Sequence, residues 1–148
     1  MNRIPAIKVL LLPKDTNALG TIFGGVILSH IDLASAVEAR KAGSHRYVTK
    51  AIHTVEFHAP VFLGDIVNFF TETVRVGRTS ITVKVTVEAE RWGGGRGQGE
   101  RVKVSVEAER WGAGAGERVQ VTEAEVVLVA VDEKGRPRPI RPESAPQA

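Results

Sequence analysis

The sequence predicts an α+β fold in which one long helix is followed by a meander of antiparallel strands, with the sheet wrapped on the helix. Two observations predict it. Apolar residues between 24 and 42 recur at helical spacing, and from residue 47 onward the apolar period changes to two. Turn signals punctuate the second region: Pro60 with Gly64-Asp65, then Gly77-Arg78, glycine-rich loops, and finally Glu133-Lys134-Gly135.

A length of 148 residues suits a single domain able to bury a core. It is expected to occupy residues 1–140, with 141–148 as a loose tail. Hydrophobic content of 43% with 25% charged residues fits a globular chain. No apolar run approaches the ~20 residues that span a bilayer, and the N-terminus lacks a signal-peptide pattern. The expectation is a cytoplasmic protein without membrane insertion. Absence of cysteine excludes disulfides, thiolate metal sites and a cysteine nucleophile. Net charge is only +3, with basic residues scattered among acids. That pattern does not suit a nucleic-acid binder but suits a phosphate-bearing small molecule.

The elements follow in order. Residues 7–12 form a short apolar run ending at Pro13, read as a first strand. A polar loop leads to the helix at 24–42, which Gly43 is expected to stop. Its apolar positions surround most of the circumference, which predicts a central, buried helix. Residues 47–58, 66–76, 81–91, 102–110 and 118–132 read as strands.

A duplication interrupts the meander. The stretch 83–93 returns, nearly unchanged, at 102–112, an offset of 19 residues, so that 83–101 and 102–120 are tandem copies of a strand plus a glycine-rich loop. Two copies are too few for a solenoid. One added strand in a meander would reverse everything after it. One copy is therefore expected to pair in the sheet while the other loops out or protrudes as a hairpin arm, with exchange between subunits a further option. A duplication in a tolerant loop with no role in function is the bland account.

The chemistry concentrates between residues 15 and 32. Gly24-Gly25 opens the helix, where backbone N–H groups lack intrahelical acceptors and can meet developing negative charge. Asp32 has Leu28 and Ala36 as its helical neighbours and no Lys or Arg three or four residues away. It is either a solvated helix acid, the commoner situation, or a base held in a site. Asn17 could orient a water or donate to a carbonyl, or could simply bond its own turn. The histidines suggest structural roles. His53 and His58 face opposite sides of one strand, His30 is on the far side of the helix from Asp32, and His45 is in a loop. No metal site is predicted, and no zinc-protease helix motif, P-loop or serine elbow occurs.

The chain resembles the hotdog-fold acyl-CoA thioesterases, in particular the small bacterial acyl-CoA hydrolases related to the cytosolic long-chain enzymes. The resemblance rests on Asp15-Thr16-Asn17-x-x-Gly20-x-Ile22-Phe23-Gly24-Gly25 with Asp32 on the helix. It continues in Phe57-x-x-Pro60-Val61-x-x-Gly64-Asp65, Val76-Gly77-Arg78-Thr79-Ser80 and Val129-Ala130-Val131-Asp132-x-x-Gly135-x-Pro137. The duplication departs from the family pattern.

The resemblance implies a hotdog fold and a homo-oligomer whose functional unit is a dimer, often three dimers to a hexamer, with active sites at the dimer interface. It implies hydrolysis of acyl-CoA to fatty acid and coenzyme A, with no cofactor beyond the coenzyme A of the substrate. Asp32 resembles the general base or nucleophile, and Asn17, from the partner subunit, the residue that positions water or the thioester carbonyl. Gly24 and Gly25 would form the oxyanion hole beside Phe23, and Arg78, Thr79 and Ser80 would meet the phosphates of coenzyme A. Two alternatives remain: a non-catalytic acyl-CoA-binding hotdog protein, and an acyl-thioester hydratase or dehydratase. The second usually sets a histidine against an acid, which the histidine positions here do not suggest.

Overall fold

Five β-strands and one helix make up the fold in the computed structural model, which describes residues 3–92 and 116–142. In chain order they are β1 (Ile7–Leu10), α1 (Gly24–Ala39), β2 (Arg46–Phe57), β3 (Ile66–Val76), β4 (Ser80–Trp92) and β5 (Gly116–Val131), with a 3-10 turn at Pro13–Asp15 after β1. The strands form one antiparallel sheet in the order β1-β3-β4-β5-β2.

Strand β4 shows how the sequence sets the sheet. Ile81, Val83, Val85, Val87 and Ala89 alternate with polar residues and are all fully buried, so the strand presents one continuous apolar face. On β5 the matching face is Ala124, Val126, Leu128 and Ala130. A register shift opposite Val87 and Glu88 inserts Val121 into β5 as an extra residue. That bulge turns both Val121 and Thr122 inward, and the buried Thr122 hydroxyl has no partner among the described residues.

Helix α1 lies on this face and buries Ile27, Ile31, Ala34 and Ala39 against it. The expected all-round burial is not observed in the single chain. Leu33 and Val37, on the outer side, are 57% and 48% exposed. Edge strand β2 exposes Ile52 on the face that carries α1 and Val48 on the opposite one.

Gly43 also differs from expectation. The helix ends at Ala39, and tight-turn bonds from Lys41 N to Glu38 O and from Ala42 N to Ala39 O close its last turn. Gly43 has no positive φ and so is not a left-handed helix stop. A Cβ there would lie 2.8 Å from His45 Nε2 and 2.9 Å from the Ile140 carbonyl. Its role is close packing beneath the C-terminal strap, where His45 Nε2 bonds Ile140 O at 2.7 Å.

Residues 83–92 of the first copy lie in β4, paired with β3 on one side and β5 on the other. Trp92 pairs with Gly116, so β5 runs antiparallel to β4. Residues 116–120 of the second copy begin β5; residues 102–115, with the strand expected at 102–110, lie outside the described residues, as does the tail from 143.

Candidate active site

The loop before α1 is a small folded unit. Its ends are joined by Phe23 N to Asp15 O at 2.9 Å and by an isolated bridge between Thr16 and Ile22. Asn17 sits at its centre. The Asn17 Oδ1 accepts from Leu19 N at 2.9 Å and Thr21 N at 3.2 Å, and Nδ2 donates to Thr21 Oγ1 at 2.8 Å. Gly20, at φ 80°, turns the chain where a side chain would be strained. Asn17 is thus a turn asparagine, yet it keeps one Nδ2 hydrogen for another acceptor. It can donate to a ligand, whereas its amide oxygen is taken.

At the start of α1, Phe23 occupies the cap position without a side-chain hydrogen bond. The amides of Gly24 and Gly25 have no acceptor among the described residues. A Cβ on Gly25 would come within 2.5 Å of the Phe23 ring, so that glycine lets Phe23 fold over the helix end. Beside Gly24, Ile22, Ile27, Phe57, Pro60 and Val121 line an apolar cleft of about 320 Å³.

Asp32 is half-buried on α1, and the hydroxyl of Thr49 on β2 donates to its Oδ1. Its remaining lone pairs are unoccupied among the described residues. Thr49 was not foreseeable: nothing in a β2 threonine points to a helix acid until the two elements pack.

Helix geometry divides these parts. At 1.5 Å rise per residue, Asp32 lies about 11 Å along the axis from the amides of Gly24 and Gly25. A carbonyl held by those amides is out of reach of the same chain's carboxylate. Asn17 belongs with the helix start, and no bond joins it to Asp32. The structure therefore gathers Asn17, Phe23, Gly24 and Gly25 at one end of the helix and leaves Asp32 midway.

Arg78, Thr79 and Ser80 occupy the β3–β4 turn. Backbone bonds from Ile140 N to Arg78 O and Ala130 N to Thr79 O, both 2.9 Å, tie this turn to the 130–140 segment. The turn lies toward the C-terminal end of α1, away from Gly24. His30 bonds Val26 O and stacks on Phe69, at 5.5 Å between centroids, so it does not face Asp32. No group of three or more His, Asp or Glu side chains suited to a metal occurs among the described residues.

A further buried pair holds the frame. Arg91 Nε donates to Asp65 Oδ2 at 2.9 Å, its guanidinium lies over the Phe62 ring at 4.7 Å, and it also bonds the Pro60 carbonyl. Asp65 accepts in addition from Phe62 N at 2.9 Å. The sequence showed Gly64-Asp65 only as a turn.

Residues 19–92 match the Thioesterase superfamily. An uncharacterized acyl-CoA thioester hydrolase of Haemophilus influenzae is 37% identical over 90% of this chain and 75% of its own length. Among solved structures, Cj0915, a hexameric hotdog fold thioesterase of Campylobacter jejuni, is 39% identical. It covers 93% of this chain and 90% of its own, with a TM-score of 0.76. HI0827, a hexameric broad specificity acyl-coenzyme A thioesterase, is 34% identical over 97% of this chain and 84% of its own, with a TM-score of 0.75. The helix on a five-stranded antiparallel sheet is the hotdog fold, and the chain belongs to the thioesterase superfamily.

Proposed function

We propose that this protein is an acyl-CoA thioesterase whose active site is completed by two copies of the chain. The observation that carries it is the separation of about 11 Å between Asp32 and the free amides at the start of its own helix. One copy supplies Asp32, and the other supplies Asn17 with the amides of Gly24 and Gly25. The apolar residues Leu33 and Val37 on α1 and Ile52 on edge strand β2, exposed on the side of the sheet that carries Asp32, support a second copy there. The hexameric relatives support a homo-oligomer, with a trimer of dimers as the larger assembly.

In this reading the acyl chain enters the cleft beside Gly24 and Phe57. Asp32 accepts a proton from water as the oxygen attacks the thioester carbonyl. Negative charge on the carbonyl oxygen is met by the Gly24 and Gly25 amides and the free Nδ2 hydrogen of Asn17. Collapse of the tetrahedral intermediate breaks the C–S bond and releases coenzyme A thiolate and the fatty acid. The residues named so far call for no cofactor. Arg78, Thr79 and Ser80, in the turn tied to the 130–140 segment, are assigned to the phosphates of coenzyme A.

Release of free thiol from a panel of acyl-CoA esters tests the reading, with wild type compared against Asp32→Asn. Turnover by wild type, and its loss in a variant that still binds coenzyme A, is expected. Full activity in Asp32→Asn would remove the role given to that carboxylate. Coenzyme A binding without turnover by wild type would favour the acyl-CoA sensor.

A further inference from the structure

We propose that Arg91 is a positioning residue that holds the Asn17 loop in place through the β2–β3 connection, a role that rests on the thioesterase reading of that loop. Residues 58–65 of the connection belong to no strand, and Arg91, near the end of β4, grips them at three points. Its Nε donates to Asp65 Oδ2 at 2.9 Å, its Nη2 donates to the Pro60 carbonyl, and its plane lies over the Phe62 ring at 4.7 Å. The same Asp65 oxygen accepts Phe62 N at 2.9 Å, and Asp65 N returns to Phe62 O at 3.0 Å. One guanidinium thus closes the whole turn from Pro60 to Asp65.

The connection in turn carries the Asn17 loop. Ile22 N donates to Val61 O at 2.8 Å, and an isolated antiparallel bridge pairs Thr21 with Phe62. Thr21 is then bonded to Asn17 three times. Thr21 N donates to Asn17 Oδ1 at 3.2 Å, Asn17 N donates to Thr21 O at 2.8 Å, and Asn17 Nδ2 donates to Thr21 Oγ1 at 2.8 Å. The side-chain amide is planar, so fixing one Nδ2 hydrogen on Thr21 also fixes the direction of the other. That second hydrogen is the donor assigned to the thioester oxygen. An unbroken series therefore runs from Arg91 through residues 60–62 and Thr21 to the working atom of Asn17.

Arginine suits this place because one planar fork bonds a carboxylate and a carbonyl while its face covers a ring. Lysine keeps the charge beside Asp65 but, as a point charge, cannot make all three contacts. The Arg91 and Asp65 side chains are 13% and 6% exposed, so water is poorly placed to replace what is lost. Geometry gives the clamp its effect on rate. A donor to a developing oxyanion works only within about 2.7–3.1 Å of that oxygen, and a displacement of about 1 Å can lower the rate a hundredfold. Because Asn17 serves the site that the other copy's Asp32 completes, Arg91 of one chain acts on chemistry driven by the carboxylate of its partner.

The test combines Arg91→Lys with Asn17→Asp in the full-length protein. Asn17→Asp keeps the oxygen that holds the Leu19 and Thr21 amides and removes the donor. On one acyl-CoA, Arg91→Lys is expected to lower kcat about tenfold in the wild-type background. With Asn17→Asp already present it should lower kcat less than about twofold, because the group it positions is gone. Amide hydrogen exchange gives a second reading that needs no turnover. Residues 17–22 should exchange about tenfold faster in Arg91→Lys, while residues 46–52 on β2 keep the wild-type rate and show that the variant is folded. The same kcat ratio in both backgrounds, or unchanged exchange at 17–22, overturns the proposal. Faster exchange spread equally over β2 assigns Arg91 to general stability and overturns it too. If wild type releases no thiol from any acyl-CoA, the thioesterase reading falls, and exchange at 17–22 alone decides whether Arg91 holds the loop.

Discussion

The hydroxyl of Thr49 on edge strand β2 donates to the carboxylate of Asp32 on α1. It fixes one oxygen of the proposed base and leaves the other for water. Thr49→Ala removes that donor while leaving the carboxylate in place. A hydrogen bond to a charged group contributes about 1.5 kcal/mol, so kcat is expected to fall about tenfold with little change in KM. Steady-state kinetics on one acyl-CoA checks it, and an unchanged kcat would show that Thr49 does not orient the base.

Arg91 bolts the β2–β3 connection to β4. Arg91→Ala would strand the buried Asp65 carboxylate, which keeps only the Phe62 amide, and would strip the guanidinium from the Phe62 ring. Breaking a buried pair from one side costs about 3 kcal/mol. Urea unfolding of wild type and variant should show a loss of that size. A loss below about 1 kcal/mol would place the pair with ordinary surface ion pairs.

Glu38 gives a pH signature. It is buried at the C-terminal end of α1, within 3.1 Å of the hydroxyls of Thr71 and Thr73 and 2.7 Å of Lys41 Nζ. Burial pushes its carboxyl up, but Lys41 and the two threonines together outweigh it and hold it below the ordinary value of 4.5. A carboxyl lowered in the folded state stabilises fully above its unfolded value and loses that contribution as pH falls through the lowered one. The stability gap between wild type and Glu38→Gln should therefore be flat near neutral pH and shrink below 4.5. Thermal unfolding across that range measures it, and a gap that persists to strong acid would contradict the assignment.

Thr54 adopts φ 51°, a left-handed conformation in a β-branched residue, beside the register shift between His53 and Glu56. Asparagine tolerates that conformation better. Thr54→Asn is expected to relieve about 1 kcal/mol of strain and to raise the melting temperature by about 3 °C. A lower melting temperature would mean that the threonine side chain contributes more than its backbone costs.

The sequence revealed the elements well where periodicity alone decides them. Strand 66–76 is observed with the same ends, and β4 and the helix start differ little from expectation. Gly43 misled because a glycine after a helix reads equally as a left-handed stop or as room for a neighbour, and the neighbour, Ile140, is far along the chain. The all-round apolar helix is half explained by its own sheet. Leu33 and Val37 are apolar on a side that one chain leaves open. The loop–glycine–helix motif marked the candidate site, and its proposed division between two chains rests on the helix rise. Thr49 was not legible, since it meets Asp32 only through tertiary packing.

Mixing two defective chains tests the shared site most directly. Asp32→Asn keeps Asn17 and the helix start, and Asn17→Ala keeps Asp32, so each is expected to be nearly inactive alone. Refolded together in equal amounts, mixed dimers would hold one intact site and one doubly defective site. The recovered activity should approach about a quarter of wild type. Activity no higher than the mean of the two parents, in a sample shown to contain mixed dimers, would contradict a site built from both chains.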